Sequence, residues 1–281
     1  MSERICLITG TTHGIGYVTA RELARTGATV IMACRDIDRG ARVRAELAQQ
    51  TGNRRIECLH CDLASMTSIR DAASRFLSRF DRLDLLINNA GMMASRRQES
   101  ADGIELTLAT NYLGPYLLTR LLIGAMDHLA PARIVNVASK VHALGRLDPR
   151  LPVSTTRFKG LRAYAESKQA MVMFTLSLAD RLAATRISAN CLHPGIVATN
   201  IVPDTVPWLK KAGQLVRVFM FDEERGARTT LYLALSEEVA ESSGHYYDQH
   251  QQIRLPAPAA VDPAARELLW RTSAAMTGMD S

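Results

Sequence analysis

Tyr164 and Lys168 stand four residues apart in Tyr164-Ala165-Glu166-Ser167-Lys168. On a helix this spacing puts both side chains on one face. A phenol with its ordinary pKa of about 10 is a poor proton donor or acceptor at neutral pH. An ammonium held beside it favours the phenolate and lowers that pKa, so the pair could serve as a general acid/base. Taken alone it fits equally an aromatic ring packed on a lysine stem. Other chemistry-bearing residues fall at the ends of apolar runs: Asn88-Asn89-Ala90-Gly91, Ser139, and His193-Pro194-Gly195-Ile196-Val197-Ala198-Thr199, with Asn111 inside a helical stretch. Singly, Ser139 reads as a strand-end helix cap, Asn111 as a buried polar residue with satisfied partners, and His193 as a structural residue orienting the turn before Pro194.

A glycine-rich turn near the N-terminus, Thr9-Gly10-Thr11-Thr12-His13-Gly14-Ile15-Gly16, joins an apolar run to a helical pattern. Gly10 permits the tight turn. Gly14 and Gly16 let backbone approach a pyrophosphate, and the helix N-terminus supplies N–H groups and partial positive charge. This placement between strand and helix predicts dinucleotide binding. The spacing is Gly-x-x-x-Gly-x-Gly. Nucleotide choice is set where the second strand ends, in Ala33-Cys34-Arg35-Asp36. An acidic residue there would bond a free ribose 2′-hydroxyl, and an arginine a 2′-phosphate. Counting from the last glycine reaches Asp36 and NAD. The strand tip is instead neutral Cys34 followed by Arg35, with Asp36 placed to cap the next helix. The expected cofactor is therefore NADP(H), with His13 and Arg39 adding charge. Asp62, after the third strand, could accept from an adenine amino group or cap the helix behind it.

The elements that position these residues alternate. Strands are predicted at Arg4–Thr9, Thr29–Ala33, Ile56–Cys61, Leu83–Asn88, Arg133–Ala138, Ile187–Leu192 and Gly244–Tyr247. Helices are predicted at about 15–26, 38–50, 66–79, 103–128, 161–184, 223–235 and 262–276. Short, almost wholly apolar strands fit a parallel sheet covered on both faces. Right-handed crossovers make it a doubly wound, Rossmann-like α/β fold of about seven strands. Ligands in such sheets bind at the carboxyl ends of the strands. One domain over 1–281 is expected, with 200–221 as a substrate lid and 250–281 as a C-terminal extension.

With these motifs in this order, the chain resembles the short-chain dehydrogenase/reductase family from about Arg4 to Tyr247. The resemblance implies Tyr164 as general acid/base, and Lys168 as the group that lowers its pKa and bonds the nicotinamide ribose. It implies Ser139 as the holder of the substrate oxygen, and Asn111 as keeping a helix locally open and anchoring a water. Cofactor contacts would come from Gly10, Thr12, His13, Gly14, Ile15, Gly16, Arg35, Asp62 and Leu63. Asn89, Ala90 and Gly91 would line the adenosine-ribose side. Pro194 and Gly195 would back the nicotinamide, with Val197 beside them and Thr199 on its carboxamide. Ser139 and Tyr164 are separated by 24 residues. That long gap, with Ala33-Cys34-Arg35-Asp36, Val141-His142-Ala143-Leu144 and Leu268-Leu269-Trp270, is similar to the retinol dehydrogenase-like branch. That branch implies NADP(H) and lipophilic carbonyls or alcohols. Met93, Val141, Leu144 and Trp208 are candidate substrate contacts, with the Asn200–Phe221 segment closing over the site. The resemblance also implies a homodimer through the long helices around 103–128 and 161–184.

Composition narrows the classes. The chain has 281 residues, 47% hydrophobic, with a formal net charge of +6. Its arginines are scattered over helical faces without interleaved aromatics, which argues against a nucleic-acid partner; the partner that the resemblance implies is a small-molecule carbonyl or alcohol. Cys58 and Cys61 form a Cys-x-x-Cys with no second ligand pair, and on a strand they face oppositely, so no metal is expected. Five cysteines in this setting suit a reducing cytoplasm. Neither a signal peptide nor a membrane span is read, although Val206–Phe221 could form an interfacial helix. Many members of the branch carry an N-terminal anchor, so a hydrophobic or polycyclic metabolite is expected at least as much as a retinoid. A nucleotide-binding scaffold or sensor without turnover is the alternative, and it has no need of Asn111, Ser139, Tyr164 and Lys168 together.

Overall fold

The computed structural model describes residues 4–126, 131–151, 158–195 and 222–280. Eight strands form one sheet in the order β3-β2-β1-β4-β5-β6-β7-β8. They are β1 (Ile5–Thr9), β2 (Thr29–Cys34), β3 (Ile56–His60), β4 (Leu85–Asn88), β5 (Ala132–Val137), β6 (Ile187–Leu192), β7 (Tyr246–Tyr247) and β8 (Ile253–Arg254). All pairings are parallel except β7 with β8. The chain reverses its winding between β1 and β4, which opens a crevice at the carboxyl ends of those strands. The antiparallel β8 is the strand beyond the seven predicted. It is two residues long, with Ile253 exposed, so no alternation announces it.

The sheet is covered on both faces. On one side lie α1 (Gly14–Arg25) and α2 (Ile37–Thr51), with a later helix, α7, at Glu223–Leu235. Their apolar stripes bury Ile8, Val30, Met32, Ile87 and Val135 of the strands. The other side carries α3 (Met66–Leu77), α5 (Gly114–Met126) and α6 (Gly160–Arg181) over Leu7, Ile31, Leu86 and Ile134. The helix predicted over 103–128 is broken. A short α4 (Leu106–Leu108) runs into a π-helical turn, Ala109–Leu113, before α5 begins.

The C-terminal extension forms α8 (Pro258–Val261) and α9 (Pro263–Thr277). Trp270 of α9 stacks on Phe174 of α6 and meets Tyr116 of α5 edge-on. Arg181 and Arg120 cap the indole, at 4.0 and 4.8 Å from a ring centroid. The patch of α5 and α6 around Tyr116 and Phe174, on the helices expected to meet a second copy, is thus covered by the chain's own last helix. No described helix is long and apolar enough to cross a membrane.

Candidate active site

The glycine turn after β1 has the backbone its residues predict. Gly10 has φ +71 and Gly14 has φ +66, in the left-handed region that favours glycine. A Cβ at Gly16 would collide with the Gly10 carbonyl and the Asn89 amide. Asn89 donates from Nδ2 to the carbonyls of Thr9 and Gly10 at 2.9 and 3.0 Å, and Thr9 Oγ1 accepts from the amides of Asn89 and Ala90. The β4 end is therefore a brace for the glycine turn. His13 precedes α1 without a side-chain cap, and the first turn carries no acidic residue. By contrast α2, α3 and α7 are capped by Asp36, Ser65 and Asp222. The first-turn N–H groups of α1 thus suit a pyrophosphate.

At the tip of β2, Cys34 is buried and its thiol lies 3.4 Å from the Thr11 hydroxyl. Asp36 accepts from the Arg39 amide at 2.9 Å as the α2 cap. Arg35 and Arg39 are exposed, and among the described residues neither is paired with a carboxylate. Burial, then the nearby Arg39 charge, holds the His13 imidazole below its usual pKa. Asp62 is not the cap of α3, since Ser65 takes that position. Asp62 bonds the Ala64 amide instead, two residues on, and Leu63 packs against Gly114. Cys58 has its thiol against Cys34 of the neighbouring strand rather than Cys61, and all five cysteines are free.

At the reacting end, α6 places Tyr164 and Lys168 on one face, with Lys168 Nζ 5.7 Å from the Tyr164 ring centroid. Nζ donates to the Val137 carbonyl at 2.8 Å. Ser139, just past β5, lies near enough to the Tyr164 phenol to pull its pKa down. Asn111 accepts from the Met92 amide at 2.8 Å and donates to the Met92 carbonyl at 2.8 Å and the Ser167 hydroxyl at 3.0 Å. Ser167 in turn donates to the Tyr164 carbonyl. Asn111 is drawn toward Met92 and α6 where the helix widens into its π turn, and such turns gather at functional positions. A Cβ at Gly91 would stand 3.3 Å from Lys168 Nζ and 3.6 Å from Asn111 Oδ1. Gly91 therefore keeps a passage open beside both groups.

One expectation meets an opposing effect. The sequence spacing implies that Lys168 lowers the Tyr164 pKa. In the structure burial dominates and pushes the phenol up, with Ser139 pulling it partly back. The lysine bears the complementary strain: burial pulls its pKa down to about 8. Its ammonium gives one of its three donors to Val137 and lies 5.7 Å from the Tyr164 ring centroid.

Pro194 and Gly195 follow β6, with Gly195 at φ +84 and its amide donating to His193 Nδ1 at 3.3 Å. His193 is structural here, and burial pulls its pKa to about 4. Val197, Thr199 and Trp208, with the lid at 200–221 and the interfacial helix at Val206–Phe221, lie outside the described residues. Met93 lies near Gly160 at the start of α6. Val141 and Leu144 lie in the 3-10 turn Lys140–Leu144 that Ser139 caps, and Leu144 is 66% exposed. Leu161, unremarked in the sequence, is also exposed, three residues before Tyr164 and on its face of α6. Helical spacing could have found it, and Ser167 likewise. Gln169 was missed too: its Oε1 accepts from the Leu147 amide at 3.1 Å and pins the loop after Ser139. A cavity of about 500 Å³ opens beside the same turn, lined by Lys140, His142, His193, Tyr246, Arg254 and Pro256 among others. Neither Ser139 nor Tyr164 lines it, so it borders the candidate site.

Comparison with known proteins agrees with this geometry. The family described as short chain dehydrogenase matches residues 4–210. Human retinol dehydrogenase 13 is 36% identical over 281 residues, covering 98% of this chain and 85% of the relative. An uncharacterised protein from Mycobacterium Paratuberculosis superposes with a TM-score of 0.79 at 32% identity, covering 99% of this chain and 94% of that one. A chain described as an NAD(P)-dependent gluconate 5-dehydrogenase from Beutenbergia cavernae, with NADP bound, superposes with a TM-score of 0.70 at 26% identity. It covers 88% of this chain and 94% of its own.

Proposed function

We propose, for a chain that belongs to the short-chain dehydrogenase/reductase family and to its retinol dehydrogenase-like branch, an NADP(H)-dependent interconversion of a carbonyl and an alcohol on a hydrophobic small molecule. The observation that carries this reading is the convergence of Ser139, Tyr164 and Lys168 past the carboxyl end of β5, with Ser139 near enough to pull the phenol's pKa down and Lys168 Nζ 5.7 Å from its ring centroid. The nicotinamide, when bound, supplies the hydride. Ser139 holds the substrate oxygen, and Tyr164 gives that oxygen a proton in reduction or takes one in oxidation. Lys168, anchored on Val137, presents its charge to the ribose and to the phenol as the latter ionises. Asn111 fixes the loop at Met92 and, through Ser167, the turn that carries Tyr164.

Three features support NADP(H) over NAD(H). The acidic residue near the β2 tip, Asp36, is engaged as a helix cap. Exposed Arg35 and Arg39 gather cationic donors, beside His13, where a 2′-phosphate would lie. A relative at 26% identity holds NADP. An apolar substrate is supported by exposed Leu144 and Leu161 beside Ser139 and Tyr164, and by the retinol dehydrogenase relative.

Fluorescence titration with NADPH and NADH, followed by turnover of retinal, aliphatic aldehydes and polycyclic ketones, tests the reading. Tyr164→Phe should lose about 10²–10⁴ in kcat with NADPH still bound; full turnover would refute the proton role. Arg35→Ala should weaken NADPH about tenfold or more, the worth of a bond to a charged group, and spare NADH. Equal losses would refute the 2′-phosphate assignment.

A further inference from the structure

The 3-10 turn after Ser139 carries a histidine that none of the roles above uses. His142 is 3% exposed. Its Nδ1 is 2.8 Å from the Ser139 carbonyl oxygen, and its Nε2 is 3.2 Å from the Ala257 amide nitrogen of the C-terminal extension. A carbonyl only accepts and a backbone amide only donates. Nδ1 must therefore carry the proton and Nε2 must be bare, which is one tautomer of the neutral ring. Burial, which lowers the imidazole pKa, keeps the ring neutral. The ring also stands edge-on to Tyr246 of β7, with centroids 4.7 Å apart. It is thus held by the strand end that bears Ser139, by the extension and by the sheet edge.

The Ser139 carbonyl receives two bonds from this one residue, since the His142 amide also donates to it at 3.1 Å. The serine hydroxyl has weaker local restraint: its bond from the Val141 amide is 3.4 Å long. We propose that His142 is a positioning residue for Ser139, its neutral ring bridging the Ser139 carbonyl to the Ala257 amide so that the serine hydroxyl is held where it meets Tyr164. The inference rests on the proposed role of Ser139. It makes the C-terminal extension part of the site's scaffold, joined by one imidazole across 115 residues of sequence.

Four variants test it, assayed for NADPH affinity by fluorescence, for kcat and KM with the best aldehyde of the panel, and for thermal unfolding. His142→Phe keeps the ring against Tyr246 and loses both side-chain bonds. It should lower kcat about 10–100-fold, the scale of a misplaced reacting group, with NADPH affinity within about twofold of wild type. His142→Asn, whose amide can reach the Ser139 carbonyl, should recover most of that loss. Ala257→Pro suits the backbone there, φ −57, and replaces the N–H with a ring carbon that faces Nε2, so it breaks the bridge from the extension's side. It should lower kcat several-fold with the His142 residue itself unchanged, and it carries the test alone if His142→Phe does not fold. Wild-type kcat in His142→Phe or in Ala257→Pro overturns the proposal, as does an asparagine variant as slow as phenylalanine. A fall in NADPH affinity matching the fall in kcat overturns it in favour of general disruption. Ser139→Ala separates the two levels: if it leaves kcat unchanged the role of Ser139 fails, whereas a slow Ser139→Ala beside a normal His142→Phe sinks only the positioning role.

Discussion

Lys168→Met should make the protein more stable while removing its activity. Lys168 is 3% exposed, and its pKa falls from 10.5 to about 8 through burial alone. A fall of about 2.5 at about 1.36 kcal/mol per pKa unit is about 3 kcal/mol that the charged lysine costs the fold at pH 7. Methionine fills a similar volume with no charge. It forfeits the hydrogen bond to the Val137 carbonyl, about 1 kcal/mol for an amine that could have been neutral. The net gain is about 2 kcal/mol, or roughly 4–8 °C in Tm for a chain of this size. The pH dependence fixes the sign. A base whose folded pKa lies below its unfolded value penalises the fold fully below pH 8, and the penalty fades as pH rises toward 10.5. The stability gap between variant and wild type should therefore be widest near pH 7 and narrow above pH 8. Scanning calorimetry or fluorimetry of both proteins from pH 7 to 10 measures it. A variant that melts at or below wild type at pH 7, or a gap that stays constant with pH, would refute the buried-charge argument.

Other expectations follow from the same geometry. Because burial keeps Tyr164 protonated above its ordinary range, carbonyl reduction should be level through neutral pH while alcohol oxidation climbs as pH rises. Initial rates in both directions across pH 6–10 check this, and oxidation fastest at pH 6 would contradict it. Gly16→Ala drives a Cβ into the Gly10 carbonyl and the Asn89 amide. It should cost about 1–3 kcal/mol of stability and weaken nicotinamide nucleotides regardless of the 2′-phosphate, read by titration with NADPH and NADH. Trp270→Ala removes the anchor of α9 on α5 and α6 and should cost about 3–5 kcal/mol, measured by chemical denaturation.

The parts of this fold legible in the sequence are those written in neighbouring residues. Ile5–Thr9 and Thr29–Cys34 are nearly continuous apolar runs, and both faces of those strands are buried as such runs require. Asp36 could be read as a cap because it sits between a strand tip and a helical pattern, and it is one. What stayed hidden depends on partners far along the chain. The π turn at Ala109–Leu113 accompanies Asn111 reaching Met92 and Ser167, which no helical periodicity encodes. Spacing placed Tyr164 beside Lys168 correctly. It could not say that the lysine would bond Val137, or that burial would push the phenol's pKa up. His142 has no local signal, since its distinctive partner is Ala257.

The C-terminal extension lies beyond the residues that the family model matches, 4–210, yet it is fastened to the candidate site at two points. One is His142, through which Ala257 bears on the Ser139 carbonyl. The other is Ser273 of α9, whose hydroxyl lies 2.7 Å from the Tyr112 phenol. Tyr112 is fully buried in the π turn and is the immediate neighbour of Asn111. A buried phenol that loses its partner costs about 1–3 kcal/mol, so the extension and the π turn hold each other in place. The two fastenings reach Tyr164 by separate routes: Ser139 lies near its hydroxyl, while Asn111, through Ser167, bonds the turn that carries it. The segment most distant in sequence from the cofactor turn is thus a structural clamp on the proposed proton donor. Variation in that segment can change the site's precision without altering any residue that would touch substrate.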